Sequence, residues 1–281
     1  MKRKNFGIKS IQVLSGCVLC GLSLNVVPAH AAVLSRTDSR FEFDQFSDNA
    51  LTNNTFSDTD TFSFSNGGPV VTEAIADVLF IDDPAQAGNF VRTEAFVDAP
   101  SAFGLAEGEA SLVGSFSVGS GESFAFDFLG TMNLVAAVDN PVLETATATS
   151  SIIFSVFNTT NTTPVLLDIF ELGAGLATGT SNDFLSLNVN EQQNFAIDSS
   201  RTFAGLDFEG NTKGIQAQVA GRYSRLFDDE TLISLVEVKQ STSTGRSVPD
   251  GQAIPEPTTS ILIGGLLSSG LLLKKKKPSN T

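Results

Sequence analysis

Apolar and polar residues alternate one for one along much of this chain, and a period of two leaves room for little except β-strand. In SFAFDF, single small or polar residues separate Phe124, Phe126 and Phe128. Phe62 and Phe64 repeat the pattern in TFSFS, and LISLVEVKQ repeats it from Leu232 to Gln240. Turn chemistry falls between such runs, at Asn66-Gly67-Gly68, Gly119-Ser120-Gly121, Asp139-Asn140-Pro141, Asn158 to Pro164 and Gly210-Asn211. No helical stripe longer than about two turns occurs between Ala32 and Ala253. The expectation is an all-β chain, an antiparallel β-sandwich of jelly-roll-like form. TEAIAD (Thr72 to Asp77) returns as TEAFVD (Thr93 to Asp98). Two copies fall short of a solenoid, so the repeat predicts two similar strands near each other in one sheet. Ser241 to Ala253, rich in Ser, Thr and Gly, reads as a flexible stalk, which leaves 32–240 as the body.

The two ends obey different rules. Lys2, Arg3, Lys4 and Lys9 precede an apolar run from Ile11 to Val27 that closes in Pro28-Ala29-His30-Ala31. A basic start, a greasy middle and small residues at Ala29 and Ala31 form a secretory signal peptide over 1–31, with signal peptidase leaving Ala32 as the new N-terminus. Leu14-Ser15-Gly16-Cys17 offers a rival, a lipobox in which Cys17 is acylated. Against it, the chain stays apolar for another ten residues after Cys17 instead of turning polar as a tether does. At the other end, Pro255-Glu256-Pro257 breaks any regular structure. Thr258 to Leu273 follows as 16 uncharged residues, and Lys274, Lys275, Lys276 and Lys277 come next. As a helix, 258–273 spans about 24 Å against a hydrocarbon core of about 30 Å. The lysines fit a cytoplasmic end, with the body on the far side of the inner membrane.

This order of parts over 254–281 resembles the PEP-CTERM sorting signal of Gram-negative bacteria and cyanobacteria. The family's basic cluster is often Arg-rich and here is all Lys. The resemblance implies a transient anchor in the inner membrane, processing at the triplet by an exosortase, and delivery to the cell surface or an extracellular matrix. It covers about the last 27 residues and implies nothing about the body.

Charge and residue inventory then narrow the chemistry. Residues 32–253 hold 30 acidic and 9 basic side chains, a formal charge of −21. Such a body repels phosphate backbones, so no nucleic-acid partner is expected. Cys17, Cys20 and His30, the only cysteines and histidine, leave with the signal peptide. Ser-His-Asp and Cys-His catalysis go with them, as do thiol and imidazole metal ligands. Oxygen-rich loops at Asp58-x-Asp60, Asp82-Asp83 and Asp228-Asp229-Glu230 remain as calcium candidates at predicted turns, none with EF-hand spacing. No other cofactor is expected. Tyr223 beside Arg222 and Arg225 could serve as a lyase-like base with charge neutralisers, or stand as an ordinary residue on a sheet face. With no Trp and one Tyr the chain lacks the usual stacking platform for sugars, and its 23 Phe read as core. Thr145, Thr147 and Thr149 place three hydroxyls on one strand face. The reading that follows is an exported, surface-sorted, non-enzymatic structural or matrix-interaction protein, with exopolysaccharide as a possible partner. The rival is a secreted carboxylate-dependent hydrolase or lyase acting on exopolysaccharide.

Overall fold

The computed structural model of the chain describes residues 32–178, 184–189 and 194–249. Ala29, Ala31, the Pro255-Glu256-Pro257 triplet, the apolar stretch 258–273 and Lys274 to Lys277 lie outside them. Among the described residues no helix is long and apolar enough to cross a membrane.

The alternation produces thirteen strands among the described residues. In chain order they are β1 (Val33–Asp44), β2 (Thr52–Ser65), β3 (Val70–Asp82), β4 (Ala85–Val97), β5 (Ala102–Val118), β6 (Glu122–Val138) and β7 (Glu144–Asn158). There follow β8 (Val165–Ala177), β9 (Phe184–Val189), β10 (Phe195–Ile197), β11 (Phe203–Glu209), β12 (Thr212–Phe227) and β13 (Thr231–Ser247). Four of these five predicted turns fall between strands, and the fifth, Asn158 to Pro164, begins on the last residue of β7. Gly121 and Gly210 adopt positive φ there, 77° and 59°, which glycine does without a Cβ penalty.

Every pairing is antiparallel, and the strands form two sheets. A seven-stranded sheet runs β10-β12-β6-β1-β4-β3, with β11 also on β12, and a six-stranded sheet runs β2-β5-β13-β7-β8-β9. The repeated TEA segments lie on β3 and β4, adjacent strands with Thr72 opposite Ala95 and Ala74 opposite Thr93. The inner faces share one core, and its side chains are graded by size. Phe41, Phe43, Phe116, Phe124, Phe126, Phe128, Phe154 and Phe170 fill one end, with rings 4.7 to 6.1 Å apart between neighbours such as Phe41 and Phe43 or Phe41 and Phe128. The other end holds Ala95, Ala106, Ala110, Ala146 and Ala148 beside buried Ser and Thr. There a Cβ on Gly108 would stand 2.6 Å from Cγ1 of Val91, so the backbone of β5 approaches the opposite sheet as closely as only glycine allows.

Two expectations are corrected. The stalk assigned to 241–253 is strand as far as Ser247, with Ser241, Ser243 and Ser247 buried. Small hydroxyl side chains suit the narrow end of this core, and β13 there pairs with β5 and β7 on both sides. The Phe content is not all core either. Phe56, Phe62 and Phe64 are more than half exposed, because β2 forms the edge of its sheet and these three face outward.

Candidate functional site

Several inner positions of β1, β4, β7 and β13 are Ser or Thr where hydrophobic residues would be expected, and their hydroxyls bond one another within and between the sheets. Thr93 Oγ1 lies 2.8 Å from both Thr37 Oγ1 and Ser243 Oγ. Ser241 Oγ lies 3.1 Å from Ser39 Oγ and 2.9 Å from Ser150 Oγ. Ser243 Oγ donates to the Thr93 carbonyl at 3.0 Å. Satisfied in this way, buried hydroxyls avoid the cost of about 1–3 kcal/mol each that an unpaired one carries.

Where this seam meets the Phe-filled end, three larger polar side chains are enclosed. Glu237 and Lys239 are fully buried, and both point inward from β13 because they share its parity with Ile233 and Leu235. Asn89, on β4 of the opposite sheet, is buried to within 4%. The Lys239 ammonium nitrogen donates to the Asn89 backbone carbonyl at 3.0 Å and to Oδ1 of the Asn89 side chain. Nδ2 of Asn89 donates in turn to Oε2 of Glu237. Oε1 of Glu237 has no hydrogen-bond partner. Burial pushes the Glu237 carboxyl up to about 7, with Lys239 and Asn89 acting against it. Burial likewise pulls the Lys239 amine down to about 7. Both shifts favour the neutral form of the group. Sequence reading missed this trio. Its signal was the parity of LISLVEVKQ, obscured because Val236 and Val238 make the outer face of the strand apolar as well.

A second buried carboxylate gathers the residues considered for lyase chemistry. Asp168 of β8 accepts from Tyr223 Oη at 2.7 Å, from Arg225 Nη1 at 2.8 Å and from Asn194 Nδ2 at 2.9 Å. Tyr223 therefore stands on the inner face of its sheet, as a core residue of β12. Desolvation first, and then the bond to Asp168, push its hydroxyl well above the ordinary tyrosine value, which opposes any role as a base. Arg222 points to the opposite face, where it bonds Asp127 at 2.7 Å.

The acidic candidates do not converge. Asp58 and Asp60 lie mid-strand in β2 and not at a turn. Asp82 ends β3 and accepts from Asn53 at 2.6 Å, while Asp83 follows it and accepts from Asn49 at 3.0 Å. Asp228, Asp229 and Glu230 form the turn from β12 to β13, at the rim of an open polar cleft of about 410 Å³. Among the described residues no three Asp, Glu, His or Cys side chains are grouped to hold a metal ion. Ala32 stands just before β1 and its backbone N–H donates to Asp139 at 3.0 Å.

The predicted row of threonines proves wider than one strand. Thr147 of β7 lies opposite Thr244 of β13, Thr149 opposite Thr242, and Ser151 opposite Gln240. The Thr149 and Ser151 rows continue outward to Glu107 and Glu109 on β5, then to Asp60 and Asp58 on β2, whereas the Thr147 row continues to Leu105 and Phe62. Part of the outer face of the six-stranded sheet is thus a patch of hydroxyl, amide and carboxylate groups across four strands, bordered by Leu105, Phe62 and Phe64.

Comparison of the chain with protein-family models, with curated proteins and with solved structures finds no match.

Proposed function

We propose that the protein is an exported structural component of an extracellular matrix, sorted to the cell surface through its C-terminal signal by an exosortase, and that its body binds exopolysaccharide without cleaving it. The body on this reading is a jelly-roll-like sandwich that serves as a rigid spacer. One observation carries the binding role, namely the outer patch in which Thr147 and Thr149 stand beside Thr244 and Thr242, and the Thr149 and Ser151 rows run on to the acids of β5 and β2. Hydroxyls repeat along each strand at about 7 Å and between strands at about 4.8 Å. A flat lattice of donors and acceptors suits a hydroxylated polymer, whose own groups recur along an extended chain. The buried carboxylates give the rival enzyme reading no support, since Asp168 is saturated by three donors and Glu237 is enclosed in the core.

Co-sedimentation of the purified protein with exopolysaccharide from an exosortase-bearing host tests the body's role. The parent chain is expected to pellet with the polymer and leave its chain length unchanged. A variant with Val at Thr147, Thr149, Thr242 and Thr244 keeps the strands, since Val favours them equally, and is expected to lose most of that binding. Absence of binding by the parent chain, or shortening of the polymer, would overturn the proposal, and the second outcome would restore the carboxylate-dependent hydrolase or lyase.

A further inference from the structure

The geometry points to an intramolecular isopeptide bond between Lys239 Nζ and the side-chain carbonyl carbon of Asn89, formed with Glu237 as the proton-transferring catalytic residue and joining β13 of one sheet to β4 of the other. The reactants are already in contact. Lys239 Nζ sits 2.5 Å from Oδ1 of Asn89. With a C=O bond of about 1.23 Å, Cγ of Asn89 lies within about 3.7 Å of the nitrogen, close to the separation of a near-attack arrangement. Glu237 Oε2 accepts from Nδ2 of the same amide, so a carboxyl group stands directly on the nitrogen that must leave. Its other oxygen has no hydrogen-bond partner, which leaves it a site for the proton released by the amine once the two side chains shift toward each other.

The atoms balance without an oxidant or cofactor. The neutral Lys239 amine adds to Cγ of Asn89, forming the new C–N bond. Glu237 gives its proton to Nδ2 and receives one from Nζ, the C–Nδ2 bond breaks, and ammonia departs. Glu237 ends protonated as it began. The step requires an uncharged amine and a protonated acid at neutral pH, the forms toward which burial drives both groups. Enclosure in the core also keeps out the water that would hydrolyse the amide instead.

Left unreacted, the trio is a burden. Removing two ionisable side chains from water carries a desolvation cost that their mutual attraction does not reliably repay, and Oε1 of Glu237 lacks even a hydrogen bond. The bond converts Lys239 and Asn89 into a neutral amide. Residues 32–249 contain no cysteine, so a disulfide cannot supply a covalent tie between the sheets.

Intact-mass measurement of the purified full chain under denaturing conditions, followed by peptide mapping, tests the inference. The protein is expected to be lighter than its sequence by one ammonia beyond any N- or C-terminal processing, and digestion is expected to yield a branched peptide joining the segments around Asn89 and Lys239. Lys239→Met, Asn89→Ala and the near-isosteric Glu237→Gln are each expected to keep the full mass. A parent chain at full mass, or one that has lost ammonia without the branched peptide, overturns the inference, and a Glu237→Gln protein that cross-links like the parent overturns the role given to Glu237.

Discussion

Asp168 accepts hydrogen bonds from three side chains at once, and this makes the partners unequal. Replacing Asp168 with Ala leaves the Tyr223 hydroxyl buried and Arg225 without its counter-charge, a loss of about 3 kcal/mol. Tyr223→Phe leaves Arg225 still on Oδ2 and costs about 1 kcal/mol. Urea midpoints at unchanged slope should show that order, and equal losses would mean that Tyr223 alone carries the cluster. Glu144 supplies a pH dependence. Its Oε2 accepts from the backbone N–H groups of Asp139 and Asn140 at 2.9 and 2.8 Å, and Oε1 has no partner. Desolvation, the largest effect, holds its carboxyl above the ordinary 4.5. A raised acid contributes its stability in full below the unfolded value and loses it as pH rises through the folded one. The parent chain should therefore lose stability relative to Glu144→Gln as pH rises above the ordinary carboxyl value of 4.5, and a constant difference would show the carboxyl unshifted. Neither carboxylate could be singled out beforehand, because with 30 acids in the body nothing in their spacing marks those that a tertiary fold will bury.

Strand positions were legible where the alternation was strong and the turns carried Gly, Pro or Asn, which is why the end of β2, β6 and the start of β13 were anticipated. The last third of β13 was not. Composition alone makes STSTG resemble a linker, and only the narrow end of the core turns small hydroxyl residues into good inward-facing ones. A chain ended at Gln240 would lose Ser241 to Ser247 together with their pairing to β5 and β7. It should show no cooperative melt by circular dichroism, whereas a chain ended at Pro249 should melt cooperatively and independently of reductant. A cooperative melt of the shorter chain would show the seam to be dispensable. Gly108→Val tests the same narrow end from β5. Its side chain has nowhere to go beside Val91, and the sheets can part only at a cost of about 1–3 kcal/mol. A neutral result in thermal melts would mean that the close approach is not maintained.

Residues 32–253 carry a formal charge of −21, much of it on the two packed sheets, with a few exposed or half-exposed ion pairs such as Arg36 with Asp38 and Arg222 with Asp127 to offset it. Self-repulsion of this size outweighs pairs worth about 0–1 kcal/mol each. The melting temperature should accordingly rise as salt increases toward about 0.5 M, where charges are screened within a few ångströms. A fall would mean that the ion pairs dominate. The chain's direction through the sheets has a mechanical side as well. β13 is the last strand among the described residues and lies inside its sheet, held by β5 along all 17 of its residues and by β7 along most of them. A pull transmitted from beyond Ser247 enters this strand along its axis. It loads both ladders in shear, every bond sharing the force, where an edge strand would unzip one bond at a time. On the proposed reading, a protein held by its tail in a flowing or swelling matrix is thereby gripped at a strand paired on both sides.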